Sequence, residues 1–126
     1  QLRAMLERRT QVPHFSVRTL DGASFTYGDA WQSKNLVLVV LPAAETERDR
    51  AYAESLAAGL ELSNASGQHT DLVITREPLP GDEGPLALVA DKWGEIYHVT
   101  RARDLDGLPG PGDLGQWLLY VRSRCG

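Results

Sequence analysis

The side chains that could take part in catalysis lie where an apolar run is followed by a charged segment. Residues 36–41 are all apolar, and Thr46 and Asp49 follow shortly after them, with two residues between the pair. A carboxylate beside a hydroxyl could serve in acid–base catalysis, but no histidine lies at a short spacing to share the proton. The simpler interpretation is a capping box at the start of a helix, in which the Thr46 hydroxyl accepts from the Asp49 N–H and the Asp49 carboxylate accepts from the Thr46 N–H.

Cys125 is the only cysteine of the chain, and it lies four residues beyond Val121 on the apolar stripe of a predicted C-terminal helix. Its thiol could act in disulfide exchange or peroxide reduction if an electropositive setting lowered its pKa, and Arg122 and Arg124 are its neighbours. The apolar stripe favours instead an inert, half-buried residue at the end of the helix. A single cysteine forms no intramolecular disulfide and gives no sign of an oxidising compartment.

No metal or cofactor is predicted. His14, His69 and His98 are scattered, whereas a metal site needs several ligands that converge. Residues 42–44 read Pro-Ala-Ala where a phosphate-binding loop would need glycines, which argues against nucleotide binding.

Length, composition and charge exclude several classes of function. The 126 residues carry 13 basic and 17 acidic side chains, for a net charge of -4, so we expect one domain over residues 1–126 and no binding to nucleic acid. The longest apolar run is far shorter than the roughly 20 residues of a membrane span, and we expect a cytoplasmic protein. The chain begins at Gln1 rather than Met, so the sequence leaves two alternatives open: a complete chain, or one that has further residues before Gln1.

The segments around these residues predict an α/β chain. An apolar residue at every position of 36–41 indicates an interior strand buried on both faces, so we expect helices on both sides of the sheet. In the segment that follows this strand, apolar residues recur at the spacing of one helical face. The face it is predicted to bury comprises Ala53, Leu56, Ala57 and Leu60. Residues 72–74 form a second short interior strand, and the three segments together predict a parallel, right-handed βαβ unit.

The segment before the central strand predicts a helix and a hairpin. Leu2, Met5 and Leu6 fall on one helical face, which predicts a short amphipathic helix that is broken before Pro13. Residues 14–27 alternate between apolar and polar on either side of an Asp-Gly turn and predict a β-hairpin, followed by a short turn of helix.

The segment after the second interior strand predicts loops, a hairpin and a last helix. Residues 75–84 contain too many prolines and glycines to hold a helix. Residues 86–99 predict an antiparallel hairpin that completes the sheet. Gly110 and Pro111 then predict the start of the C-terminal helix, because proline is favoured at the first helical position.

The order of these segments, together with four motifs, resembles the thioredoxin-like fold, specifically its AhpC/TSA (peroxiredoxin-like, redoxin) branch. Residues 12–17 (VPHFSV) with the LDG of 20–22 are similar to the opening of that family. Residues 28–39 are similar to its entry into the central strand. The resemblance implies a three-layer α/β fold with a central mixed sheet flanked by helices and an N-terminal β-hairpin.

Two prolines complete the resemblance. Pro42 occupies the place of the family's proline after the central strand, and Pro85 begins a segment, residues 85–96, that is similar to the family's cis-proline segment. Active members carry one or two cysteines at the start of the following helix, and reading from Pro42 those positions fall on Thr46 and Asp49. The helix that usually precedes the cis-proline segment is also missing. The resemblance therefore implies a shortened member without the active-site cysteines.

The sequence thus predicts a redox-degenerate domain that binds a protein or a small-molecule ligand over the surface around Thr46 and Pro85. A carboxylate or hydroxyl cannot form the sulfenic acid or mixed disulfide that thiol enzymes need. The alternative is a thiol-dependent antioxidant oxidoreductase, a peroxidase or disulfide reductase that uses Cys125, with a homodimer as one source of the second thiol. A third interpretation is a structural domain of a longer protein.

Overall fold

The structure is a computed structural model, and it describes residues 6–63 and 70–125. Its helices and strands are, in chain order, β1 (Ser16–Arg18), β2 (Ser24–Thr26), α1 (Tyr27–Ala30), β3 (Asn35–Val40), α2 (Arg48–Ser63), β4 (Thr70–Thr75), β5 (Leu86–Ala90), β6 (Ile96–Arg101), a 3-10 turn (Leu105–Gly107) and α3 (Pro111–Cys125). The predicted N-terminal hairpin, central strand, parallel crossover, second hairpin and C-terminal helix are all present.

The central sheet is mixed and is built around β3. Its strand order is β4-β3-β5-β6, with β3 parallel to β4 and antiparallel to β5. All six residues of β3 are buried, as are all five of β5, because both strands have neighbours on each side and packed layers above and below. This burial explains why their sequences do not alternate between apolar and polar residues.

The two faces of the sheet are covered by different kinds of structure. Leu56 and Leu60 of α2 pack with Leu114 and Leu118 of α3 against one face. The other face is covered by the N-terminal hairpin and the segments beside it, which bury Val12, Phe15 and Val17. Helices flank the sheet as predicted, but unequally: α2 and α3 share one face, while the short α1, with Tyr27 buried, lies beside the hairpin on the other.

The predicted N-terminal helix is not found in its described part. Leu2 and Met5 lie outside the described residues, and the segment from Leu6 onward is a turn rather than a helix. Arg9 has a positive φ of 75°, a conformation that interrupts a helix, and the Arg9 N–H donates to the carbonyl of Ile96. Leu6 is buried in the hairpin-side cluster, so its apolar pattern reflects core packing.

The loop between β4 and β5 holds no helix, as its composition predicted. Residues 76–85 contain bends, turns and one isolated bridge between Leu79 and Asp82. Leu79 is only 2% exposed and fills the hairpin-side cluster from this loop. In the part of the chain that the structure describes, no helix has the length and apolar character that crossing a membrane requires.

The close approach of the two long helices gives a test of the fold. Gly59 of α2 faces Pro111 at the start of α3, and a Cβ on Gly59 would stand 2.4 Å from the Cβ of Pro111. We expect Gly59→Ala to lower the free energy of unfolding by about 1–3 kcal/mol in urea denaturation, because the helices would have to separate. Gly112→Ala is the matched control. Nothing lies within 4 Å of its Cβ position, so it should cost no stability. Equal effects of the two changes would contradict this packing.

Candidate functional site

Asp49 is a buried carboxylate at the start of α2. It is the second residue of the helix, and the residue as a whole is 3% exposed. A negative charge at this end of a helix is stabilised by the helix dipole. A carboxylate at this position has no thiol redox chemistry.

Thr46 and Asp49 are joined by a capping arrangement that differs in part from the predicted one. As predicted, the Thr46 N–H donates to Asp49 Oδ2, at 3.2 Å. The second predicted bond, from the Asp49 N–H to the Thr46 hydroxyl, is absent. The hydroxyl instead donates to Asp49 Oδ1 at 2.9 Å, and the Asp49 N–H donates to the Thr46 carbonyl at 3.3 Å. The hydroxyl turns toward the carboxylate because an ionised acceptor makes the stronger bond.

Arg76 completes the site, and the sequence analysis missed it. Its guanidinium lies 2.8 Å from Asp49 Oδ2 and donates to the Pro42 carbonyl at 3.0 Å. Arg76 directly follows β4, and Pro42 lies two residues after β3. The carboxyl ends of parallel strands meet at one edge of a sheet, so the predicted βαβ unit was the signal that could have found this arginine.

The contacts of Asp49 decide its ionisation. Burial alone would raise the pKa of this carboxyl, but the hydrogen bonds from Arg76 and Thr46 outweigh it and hold the pKa below its ordinary value of 3.8. Asp49 is therefore an ionised group whose oxygens are bound to Thr46 and Arg76. It has no histidine within these contacts, so the arrangement suits a structural cap rather than proton transfer.

The two prolines of the resemblance lie in different settings. The Pro42 carbonyl accepts from Arg76, while the Pro85 carbonyl accepts from the Ala102 N–H at 3.0 Å. The peptide bond before Pro85, whose isomer the sequence left open, is trans. Since Pro85 has no N–H and its carbonyl is bound within the sheet, its backbone offers little to an added segment.

The two histidines that the structure describes, His14 and His98, do not join this site. The side chain of Cys125 lies outside the described residues, as does His69. His14 packs edge-on against Trp31, and His98 stacks on Trp117 with 4.8 Å between ring centroids. Within residues 6–63 and 70–125, no group of metal-binding side chains is placed to hold an ion.

A groove of about 940 Å³ opens beside the Asp49–Arg76 pair. Its lining comes from α2, from the outer strand β4 and from the turn of the N-terminal hairpin. Its apolar lining consists of Leu20, Ala53, Ala57, Leu72 and Ile74. We refer to it as the α2–β4 groove.

Two alanines of α2 explain why this groove exists. Ala53 and Ala57 were predicted on the buried face of the helix, but Ala53 is only half-buried and Ala57 is exposed. Leu56 and Leu60 carry the contact with the sheet. The methyl side chains of the alanines are smaller than those of the leucines, which is consistent with the space that is left between α2 and β4.

Comparison with solved structures identifies the class of fold. The chain is similar to a reduced 2-Cys peroxiredoxin from Plasmodium vivax, with a TM-score of 0.67, 10% identity, and coverage of 93% of this chain and 97% of that one. It is similar to a thiol peroxidase from Chromobacterium violaceum, with a TM-score of 0.58, 12% identity, and coverage of 94% and 90%. The architecture is therefore a thioredoxin-like fold, as predicted.

A third structure agrees with these two. A thiol:disulfide interchange protein of the thioredoxin family from Chlorobium tepidum matches with a TM-score of 0.56 and 15% identity, over 97% of this chain and 100% of that one. No family model matches the chain, and no curated protein matches it in sequence. At these identities the likeness establishes the fold alone.

Removing the Asp49 carboxylate should cost more stability than a cap alone would. We expect Asp49→Ala to lower the free energy of unfolding by about 2–4 kcal/mol, because it removes the cap and leaves Arg76 without its ion partner. Urea denaturation at neutral pH measures the loss. Glu47→Ala, an exposed acidic residue two positions earlier, is the control and should change stability by less than about 0.5 kcal/mol. A small, similar loss for both would contradict the buried pair.

The low pKa of Asp49 also predicts how stability depends on pH. A carboxyl whose folded pKa lies below its unfolded value of 3.8 contributes fully above pH 3.8 and loses that contribution as the pH falls through the folded pKa. The difference in unfolding free energy between wild type and Asp49→Asn should therefore be constant near neutral pH and shrink below pH 3.8. A difference that stays constant to pH 2, or grows, would mean that Asp49 is not held ionised.

Proposed function

We propose that this chain is a thioredoxin-like domain with a degenerate redox site, and that it acts by binding a protein or small ligand in the α2–β4 groove. In this proposal, the chain is a shortened relative of the AhpC/TSA proteins. Its role is recognition and does not include thiol chemistry.

The observation that carries the proposal is the state of Asp49. A thiol enzyme of this fold needs a sulfur at the helix start that can attack a disulfide or a peroxide. Asp49 is instead buried, hydrogen-bonded to Thr46 and ion-paired with Arg76 at 2.8 Å. Its oxygens are committed to stabilising the helix start and the junction of β3 and β4. The position therefore supports a structural role.

The groove supports ligand binding as the function of the domain once thiol chemistry is set aside. Its volume of about 940 Å³ is in the range of ligand sites, and its lining combines apolar side chains with charged groups at the rim. It shares Thr46, Asp49 and Arg76 with the capped junction, so one wall is held by the ion pair. A rigid wall lowers the conformational cost of binding a ligand.

The proposal predicts that the protein catalyses no thiol reaction and that its ligand binds in the groove. Disulfide reduction and peroxide consumption by the purified protein should equal the uncatalysed rates, because the helix start carries no cysteine. Turnover that is well above background and is abolished in Cys125→Ser would overturn the proposal in favour of a thiol oxidoreductase.

The binding part is tested with a groove-filling variant. Random dodecapeptides on phage and a fragment library are screened on the wild-type protein, and each ligand is then titrated into Ala57→Trp and Ala51→Trp. The indole at position 57 fills the groove, so affinity should fall at least about tenfold, whereas Ala51 is exposed on another side of α2 and its variant should bind normally. If the screens recover no ligand whose binding depends on Ala57, the groove is not the binding site.

A further inference from the structure

The edge strand β4 is only partly covered. One of its edges pairs with β3 along its whole length, from Thr70 to Thr75. On its other edge the hairpin turn makes a single bridge, between Thr19 and Thr75, and the Leu20 N–H donates to the Ile74 carbonyl at 2.8 Å. The hairpin therefore extends the sheet at the carboxyl end of β4 and then turns away.

The remaining part of this edge presents unpaired backbone groups. Successive residues of a strand point their N–H and C=O groups to opposite edges, so Leu72 presents them on the same edge as Ile74. Among the residues that the structure describes, no backbone or side-chain group pairs with Leu72 on that edge. An unpaired stretch next to an existing antiparallel bridge is a template for one more strand.

The α2–β4 groove lies directly above this stretch. The side chains of Leu72 and Ile74 face α2 and line the groove together with Ala53 and Ala57. A strand added beside Leu72 would direct every second side chain into this space. The small alanine side chains leave room for apolar groups of the size of valine.

The rim of the groove is acidic. Five carboxylates line it with only two arginines, and Arg76 is already paired with Asp49. The other rim charges are Asp21, Glu45, Glu47, Glu54 and Arg50. Four carboxylates against one arginine give this surface a negative potential, which attracts positively charged partners and opposes negatively charged ones.

We propose that the ligand of the α2–β4 groove is an extended segment of a partner polypeptide that carries apolar residues at every second position and lysine or arginine at its ends. The segment adds to the sheet as a strand beside Leu72, with its apolar side chains in the groove and its cations at the acidic rim. This inference rests on the function proposed above, since it names the occupant of the same groove.

The experiment uses two capped octapeptides with the full chain. Both have a central stretch of alternating valine and threonine, and one carries two lysines at each end where the other carries two glutamates. Calorimetry should show the lysine peptide binding at least about tenfold more tightly, with affinity that falls as salt is added. Hydrogen exchange followed by NMR should show the Leu72 amide slowed by at least about tenfold when the peptide is saturating.

Two charge reversals separate the groove from the general charge of the protein. Glu54→Lys places a cation at the rim and should weaken the lysine peptide about three- to tenfold. Glu83→Lys makes the same charge change at an exposed position that does not line the groove, and should leave the affinity within twofold. Equal weakening by both variants would mean that net charge, not the rim, selects the peptide.

Each part of the inference can fail by itself. Equal binding of the two peptides would overturn the preference for cations, and tight binding with unchanged exchange at Leu72 would overturn strand addition. If neither peptide binds but other ligands remain sensitive to Ala57→Trp, this occupant is wrong and the groove function stands. If no ligand of any kind is sensitive to Ala57→Trp, the proposed function itself fails.

Discussion

The contact on which the site depends is the guanidinium of Arg76. It binds the Asp49 carboxylate of α2 and the carbonyl of Pro42 after β3, while being itself the first residue after β4. Three elements therefore meet on one side chain. A buried carboxylate is tolerated only when its charge is compensated, and this arginine, with the hydrogen bonds of Thr46, provides the compensation. The wall of the α2–β4 groove is thus tied to the same contact.

The fold was largely predictable from the sequence, because the composition of the buried strands identifies them. Residues 36–41 and 86–90 are apolar throughout, which requires cover on both faces, and the Asp-Gly turn at Gly22 marks the first hairpin. What could not be predicted was which structure covers each face. An apolar residue at position 6 fits a helix and also a turn that inserts one side chain into the core. The positive φ of Arg9 and its hydrogen bond to the Ile96 carbonyl distinguish the two.

The site was predictable only in part. The pairing of Thr46 and Asp49 follows from local spacing, since the two residues are only three positions apart. Arg76 lies 27 positions further along the chain, and its contact exists only once β4 is placed beside β3. The groove could not be predicted from the sequence for a similar reason. Ala53 and Ala57 fit the periodicity of a buried face, and the width of the gap beside them depends on the neighbouring leucines.

The bridge between the hairpin turn and β4 also bears on how the protein avoids association with itself. An open edge of six residues can template a growing stack of identical chains, and proteins commonly shield such edges. The turn at Thr19 and Leu20 occupies the carboxyl end of this edge and leaves a stretch of about four residues, around 13 Å long at the usual strand rise. A stretch of that length can hold a short guest strand, but it is too short to propagate a stable fibre.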